Sequence, residues 1–118
     1  EFGLQCLPEA YDPLFSCTDA HLSGQYFGAS LPALEHLAVE KEYYFIGCNS
    51  AGGNAYFLKN KFKSIVKPKS INEGFLSAKS RDERNSNGDL LFSSRESCIN
   101  AIRGMPVFNL QTNNIEEF

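Results

Sequence analysis

One segment, residues 26–58, constrains the fold of this chain more than any other. Its first part, Leu31–Lys41, carries apolar residues at the three- and four-residue spacing of one helix face. Ser30 can accept a hydrogen bond from a free amide of the first turn, and Pro32 is tolerated in that turn because no helical partner is lost. The pattern predicts a capped helix whose core-facing stripe is Leu31, Leu34, Leu37 and Ala38.

Two strand patterns follow this helix. Tyr43–Cys48 is continuously apolar and aromatic, apart from one glycine, which is typical of a strand covered on both faces, and Ala55–Leu58 is a second short run. Between them, Gly52 and Gly53 lie in a turn-forming stretch. We expect an antiparallel hairpin here. A phosphate-binding loop would need its glycines between a strand and a helix.

The next stretch, residues 59–69, carries five lysines around a few apolar residues. One interpretation is a solvated helical connector that Pro68 ends, and the sequence favours it. The other is a basic amphipathic turn that touches an anionic partner.

The remaining C-terminal residues predict a hairpin, a helix and a second hairpin. Asn87-Gly88 is typical of a type I′ turn, which leads into a strand at residues 90–92. Ser93 with Glu96 matches a capping box for a helix that reaches Arg103 and buries Cys98, Ile99 and Ile102. Gly104 is suited to close that helix in the left-handed conformation, and residues 107–115 predict the terminal hairpin.

Length and charge bound the fold class and the partners. The chain has 118 residues, which suits one domain of α+β class: an irregular, aromatic-rich segment 1–25, a helix–strand–strand core 26–60 and an extension 61–118. The formal net charge of −3 argues against a nucleic-acid partner. The sequence has no apolar run long enough to span a membrane, and no secretory signal is visible in it, so we expect no membrane partner and a cytoplasmic location.

The cysteines and histidines indicate no reaction. Four cysteines lie at irregular spacing with no CxxC pair, so free thiols are expected and a zinc site is not. His36 lies beside Glu35 and Glu40, off the apolar stripe, which predicts an exposed side chain. We therefore expect no catalytic residue, no metal ligand and no cofactor-binding residue in this chain.

Several blocks of sequence nevertheless carry a resemblance to one family. Two lie before the predicted helix and at its start, Tyr11-Asp12-Pro13 and Tyr26-Phe27-Gly28-Ala29-Ser30-Leu31. A third runs from Ile46 through Phe57 and includes Cys48-Asn49-Ser50-Ala51-Gly52-Gly53-Asn54. Three more lie in the tail: Ser80-Arg81-Asp82-Glu83, Asn87-Gly88 and Ile102 through Asn109. Together they resemble the C-terminal half of FkbM-type and related S-adenosylmethionine-dependent methyltransferase-like proteins. The resemblance covers most of the chain from about Tyr11 onward.

The resemblance implies the last helix and the final two strands of a doubly wound sheet, the last strand antiparallel, plus a C-terminal helix–hairpin extension. In that family the cofactor is held by a glycine-rich turn after the first strand and an acidic residue after the second, and neither has a counterpart here. No cofactor or catalytic residue is therefore carried over. The residues that would face an acceptor or ligand are Tyr11, Asp12, Tyr26, Asn49 and Asn54.

Three functions compete at this point. The chain could be the non-catalytic C-terminal portion of a methyltransferase-like protein, an independent binding or assembly module from a truncated or mobile gene, or an enzyme using Cys48 or a histidine. The third has the least support. In the first two, the strand that would neighbour Tyr43–Cys48 is missing, so we expect an apolar edge that pairs with the missing N-terminal half or with a second copy in a homodimer. Folding back of residues 1–25 and the C-terminal hairpin is the competing expectation.

Overall fold

The computed structural model describes residues 4–8, 12–78 and 83–118. The chain is of α+β class, with short helices and small sheets in which every strand pair is antiparallel. In chain order the elements are β1 (Gln5–Cys6), α1 (Cys17–Ala20), α2 (Leu31–Glu40), β2 (Tyr43–Cys48), β3 (Ala55–Lys59), a 3-10 turn (Asn60–Phe62), α3 (Ile71–Gly74), β4 (Glu83–Arg84), β5 (Leu90–Leu91), α4 (Arg95–Ala101), β6 (Pro106–Asn109) and β7 (Asn114–Glu117).

These elements belong to two compact units. Among the described residues, the first unit holds Leu4 and 30–78, and the second holds 5–8, 12–29 and 83–118.

The hairpin of β2 and β3 forms the centre of the first unit, as the sequence predicts. Tyr43 pairs with Lys59 and Cys48 with Ala55, and a β-bulge interrupts the register between Phe45 and Gly47. Gly47 takes a φ of 131° at this bulge, a conformation that favours glycine. The Phe45 side chain is 1% exposed and provides the centre of the core.

Helix α2 begins and packs where the sequence indicates, but it buries a different face. The Ser30 side chain accepts a hydrogen bond from the Ala33 amide, so the predicted N-cap is confirmed, and the helix contacts β2. The predicted stripe is wrong in part, because Leu34 and Leu37 are exposed and the buried residues are Ala33 and Ala38. Small side chains on that face allow the helix backbone to approach the strand closely.

The segment after β3 returns along β2. The Tyr44 hydroxyl donates to the Val66 carbonyl at 2.8 Å, and the Lys69 amide donates to the Phe45 carbonyl at 3.0 Å. The predicted helical connector is therefore only a single 3-10 turn followed by further turns. Helix α3, which was not predicted, then packs on β2 through Gly74.

The second unit is built around the sheet β1–β6–β7. The terminal hairpin of β6 and β7 was predicted, whereas β1 was not: it pairs Gln5 with Asn109 and Cys6 with Phe108. Tyr26 is buried and its hydroxyl donates to the Pro106 carbonyl at the start of β6. Part of the N-terminal segment is thus ordered against the C-terminal hairpin.

Two local predictions in this unit are wrong in detail. In the β4–β5 hairpin, Gly88 has a φ of 84° but Asn87 does not have a positive φ, so the loop is a turn closed by one left-handed residue and not a type I′ turn. Helix α4 begins after Ser94, which accepts from the Ser97 amide, and not after Ser93. The helix ends at Ala101, Cys98 is buried, and Gly104 takes the predicted left-handed conformation with a φ of 84°.

Within the described residues, no helix has the length and apolar character needed to cross a membrane.

Candidate functional site

Asp12 and Tyr26, candidate ligand residues in the second unit, have structural roles. Tyr11 lies outside the described residues. Asp12 is exposed, and its Oδ1 accepts from the Leu14 amide at 2.8 Å, which closes a turn around Pro13. Tyr26 is buried, with its hydroxyl on the Pro106 carbonyl. Asp12 therefore stabilises its own turn, and Tyr26 ties its segment to the start of β6.

Asn49 and Asn54, in the first unit, are brought together by the turn between β2 and β3. The Asn54 amide donates to Asn49 Oδ1 at 3.1 Å, and the Asn49 amide donates to the Asn54 carbonyl at 3.0 Å. Gly52 has a φ of 73°, and a Cβ placed there would lie 2.4 Å from the Ser77 carbonyl oxygen. The turn is therefore packed on residues 77–78 and depends on glycine at position 52.

One polar pair that the sequence did not predict joins the buried Ser23 to the partly exposed His21. His21 Nδ1 lies 2.8 Å from Ser23 Oγ, and Ser23 Oγ also accepts from the Gln25 amide. Adjacent serine and histidine side chains are the parts of an activated nucleophile. Ser23 is only 2% exposed, however, so a substrate has no access to its hydroxyl. The sequence signal for this pair is the spacing His21-x-Ser23. In the structure the pair satisfies the hydrogen-bonding groups of the buried Ser23.

Glu83 is the other buried polar residue of the second unit, at 7% exposure. Its Oε2 accepts a hydrogen bond from the Ser97 hydroxyl at 3.2 Å. This bond ties β4 to α4. No group of three His, Cys, Asp or Glu side chains suited to a metal ion occurs among the residues that the structure describes.

The strand β3 lies at one edge of the two-stranded sheet in the first unit. Its sheet contains only β2 and β3, so within residues 30–78 one edge of β3 has no strand partner. Tyr56 on this strand is 49% exposed. The sequence predicts an open edge beside β2, and in the structure residues 66–74 pack on β2, with the Lys69 amide donating to the Phe45 carbonyl.

Five lysines lie at the end of β3 and in the segment that follows it. This segment begins at the end of the hairpin opposite the Asn49–Asn54 turn and then returns along β2. We call residues 59–69 the lysine segment. All five side chains are exposed, and three have their ammonium groups over aromatic rings: Lys59 over Tyr43, Lys61 over Phe62 and Lys63 over Tyr44, at 5.8, 5.0 and 5.5 Å from the ring centroids.

Two further charged groups have defined partners. His36 is exposed, as predicted, with Nε2 3.5 Å from Glu40 Oε1 one turn later. The Glu73 carboxylate accepts from the hydroxyl and the amide of Ser70, at 2.7 and 3.0 Å. These hydrogen bonds, with a smaller contribution from Lys69, lower the pKa of Glu73 below its ordinary value of 4.5.

Comparison with known proteins gives no relative: no protein-family model matches the chain, and neither a curated protein nor a solved structure matches it significantly.

Proposed function

We propose that this chain is the non-catalytic C-terminal portion of a methyltransferase-like protein, in which it contributes acceptor-side or structural surface. The observation that supports this most is the order α2–β2–β3, in which a capped helix packs on a strand that is followed by an antiparallel strand. The resemblance implies the same three elements in the same order. We propose a cytoplasmic location as well, in keeping with the expected free thiols.

The open edge of β3 supports the same proposal. An apolar strand with an unpaired edge is a template for pairing with another strand. A cofactor-binding half that supplied such a strand would extend the sheet of β2 and β3 and cover Tyr56. The Asn49–Asn54 turn would then lie at the end of the extended sheet.

The test compares the chain with a longer product of its gene. We expect the coding sequence upstream of Glu1 to supply a glycine-rich turn after a first strand and an acidic residue after a second. In isothermal titration calorimetry, the extended protein should bind S-adenosylmethionine, and residues 1–118 alone should not. Cofactor binding by residues 1–118 alone, or an extended protein that does not bind it, would contradict the proposal.

A second candidate is an independent assembly module, which the open β3 edge also favours. Two copies could pair β3 with β3 about a two-fold axis, since an antiparallel edge is self-complementary. Light scattering across a concentration series should then show a dimer that Tyr56→Lys converts to monomer. Val39→Lys, at an exposed position on α2 away from the edge, is the matched control. A monomer at high concentration would exclude this candidate and leave the first one standing.

A further inference from the structure

The lysine segment concentrates positive charge in a chain that is otherwise acidic. It holds five of the eleven basic residues and none of the fourteen acidic ones, although the whole chain has a net charge of −3. Every residue of the segment after the end of β3, from 60 to 69, is exposed. Two carboxylates lie near the segment: Glu42, whose carbonyl accepts from the Asn60 amide, and Glu73, whose pKa Lys69 helps to lower. They reduce the local positive charge by two.

Apolar side chains lie among these lysines. Ile65 is 77% exposed, and Phe62 and Val66 are 39% and 37% exposed. The turn that presents them is closed by hydrogen bonds from the Ile65 and Val66 amides to the Phe62 carbonyl, at 2.9 and 3.0 Å. Exposure of an isoleucine side chain to water between lysines is unfavourable in free energy. It would gain free energy at an interface with an apolar layer below a charged one.

The segment is also held in place. The hydrogen bonds from Tyr44 to Val66 and from Lys69 to Phe45 attach it to β2. Lys59 and Lys63 are placed by their contacts with the rings of Tyr43 and Tyr44. Binding through this surface therefore requires little additional ordering, which lowers its entropic cost.

We propose that the lysine segment attaches this protein peripherally to an anionic lipid bilayer, with Ile65 in the interface and the lysines on the headgroups. The combination of exposed lysines with an exposed aliphatic side chain favours lipid over nucleic acid, whose backbone would use the lysines and leave Ile65 in water. The aromatic rings beside the lysines already have ammonium groups over them, which disfavours base stacking. This proposal departs from the sequence-based expectation of no membrane partner, which rested on the lack of an apolar run long enough to span a bilayer; peripheral attachment needs no such run. The inference is independent of the methyltransferase-like proposal.

Sedimentation with lipid vesicles tests the inference on the whole chain. We expect binding to vesicles with about 30% phosphatidylserine at about 50 mM salt, and release at about 500 mM salt, because the attraction is electrostatic and screened. Lys61→Gln and Lys67→Gln should each weaken partitioning about fivefold, since each lysine near such a surface contributes about 1 kcal/mol. Ile65→Ser should weaken it about tenfold through the lost apolar contact.

Matched controls separate this surface from general charge and apolarity. Arg103→Gln and Val39→Ser change an exposed basic residue and an exposed aliphatic residue outside the segment, and they should leave partitioning unchanged. Circular dichroism checks that each variant is folded. The inference is overturned by no binding at low salt, by equal binding to phosphatidylcholine vesicles, by equal losses in the control variants, or by tighter binding to duplex nucleic acid than to vesicles.

Discussion

At the scale of single residues, Gly74 is a position where one added methyl group would crowd the core of the first unit. A Cβ there would lie 2.6 Å from Phe45 Cε1 and 3.0 Å from the Gly47 Cα. Phe45 has no room to move, since its side chain is 1% exposed. Gly74→Ala should therefore lower the free energy of unfolding by about 1–3 kcal/mol, the usual cost of overpacking a core. Urea denaturation monitored by circular dichroism measures it.

Gly53→Ala is the matched control for this substitution. A Cβ at position 53 would have no atom within 4 Å, and Gly53 does not have a positive φ. The change should be neutral or stabilising by up to about 1 kcal/mol, because alanine restricts the unfolded chain. Equal losses in the two variants would show that Gly74 does not pack on Phe45.

Glu73 provides a prediction of pH dependence. Hydrogen bonds from Ser70 lower the pKa of the Glu73 carboxyl in the folded chain. The stability that the ionised carboxyl adds to the folded state is therefore complete above the unfolded pKa near 4.5, and it is lost as the pH falls through the lower folded pKa. The carboxyl carbon of Glu73, followed by NMR, should titrate with a midpoint below 4.5, and Ser70→Ala should raise that midpoint. A midpoint at 4.5 or above in the unmodified chain would contradict the hydrogen-bonded arrangement.

At the scale of elements, α4 tests which of two adjacent serines is the cap. Ser94 Oγ accepts from the Ser97 amide, whereas the capping-box pattern favoured Ser93. Ser94→Ala should cost about 1 kcal/mol of unfolding free energy, and Ser93→Ala much less. Chemical denaturation of both variants gives the comparison, and a larger loss at Ser93 would restore the capping box predicted from the sequence.

The elements that the sequence predicts correctly are those with local signals. Ser30 and Pro32 mark the start of α2, and the glycines of residues 52–53 mark the turn between two apolar runs, so helix and hairpin follow from neighbouring residues. Helix α3 had a local signal too, Ser70 three residues before Glu73, which was overlooked. Which residues α2 buries depends on how the helix packs on β2, and the periodicity of the helix sequence does not determine that packing.

Non-local structure could not be predicted in this way. The pairing of β1 with β6 joins residues that are about a hundred positions apart, such as Cys6 and Phe108, and two-residue strands carry no periodicity. The roles of the candidate ligand residues also depend on long-range contacts that the sequence pattern does not show. The resemblance implies that Tyr26 faces an acceptor, whereas in the structure its hydroxyl donates to the Pro106 carbonyl, a long-range contact.

At the scale of the whole molecule, the division into two compact units raises the question of whether they unfold together. Contacts concentrate within residues 30–78 and within 5–8, 12–29 and 83–118, so we expect sub-global opening of each unit separately. Gly74→Ala should accelerate amide exchange in β2 with little effect on β6. Val107→Ala, which removes a side chain that is 6% exposed, should do the reverse. Native-state hydrogen exchange by NMR resolves both sheets in one sample. If either substitution accelerates exchange equally in β2 and β6, the chain unfolds as the one cooperative domain predicted from its length, and the two units are not energetically separate.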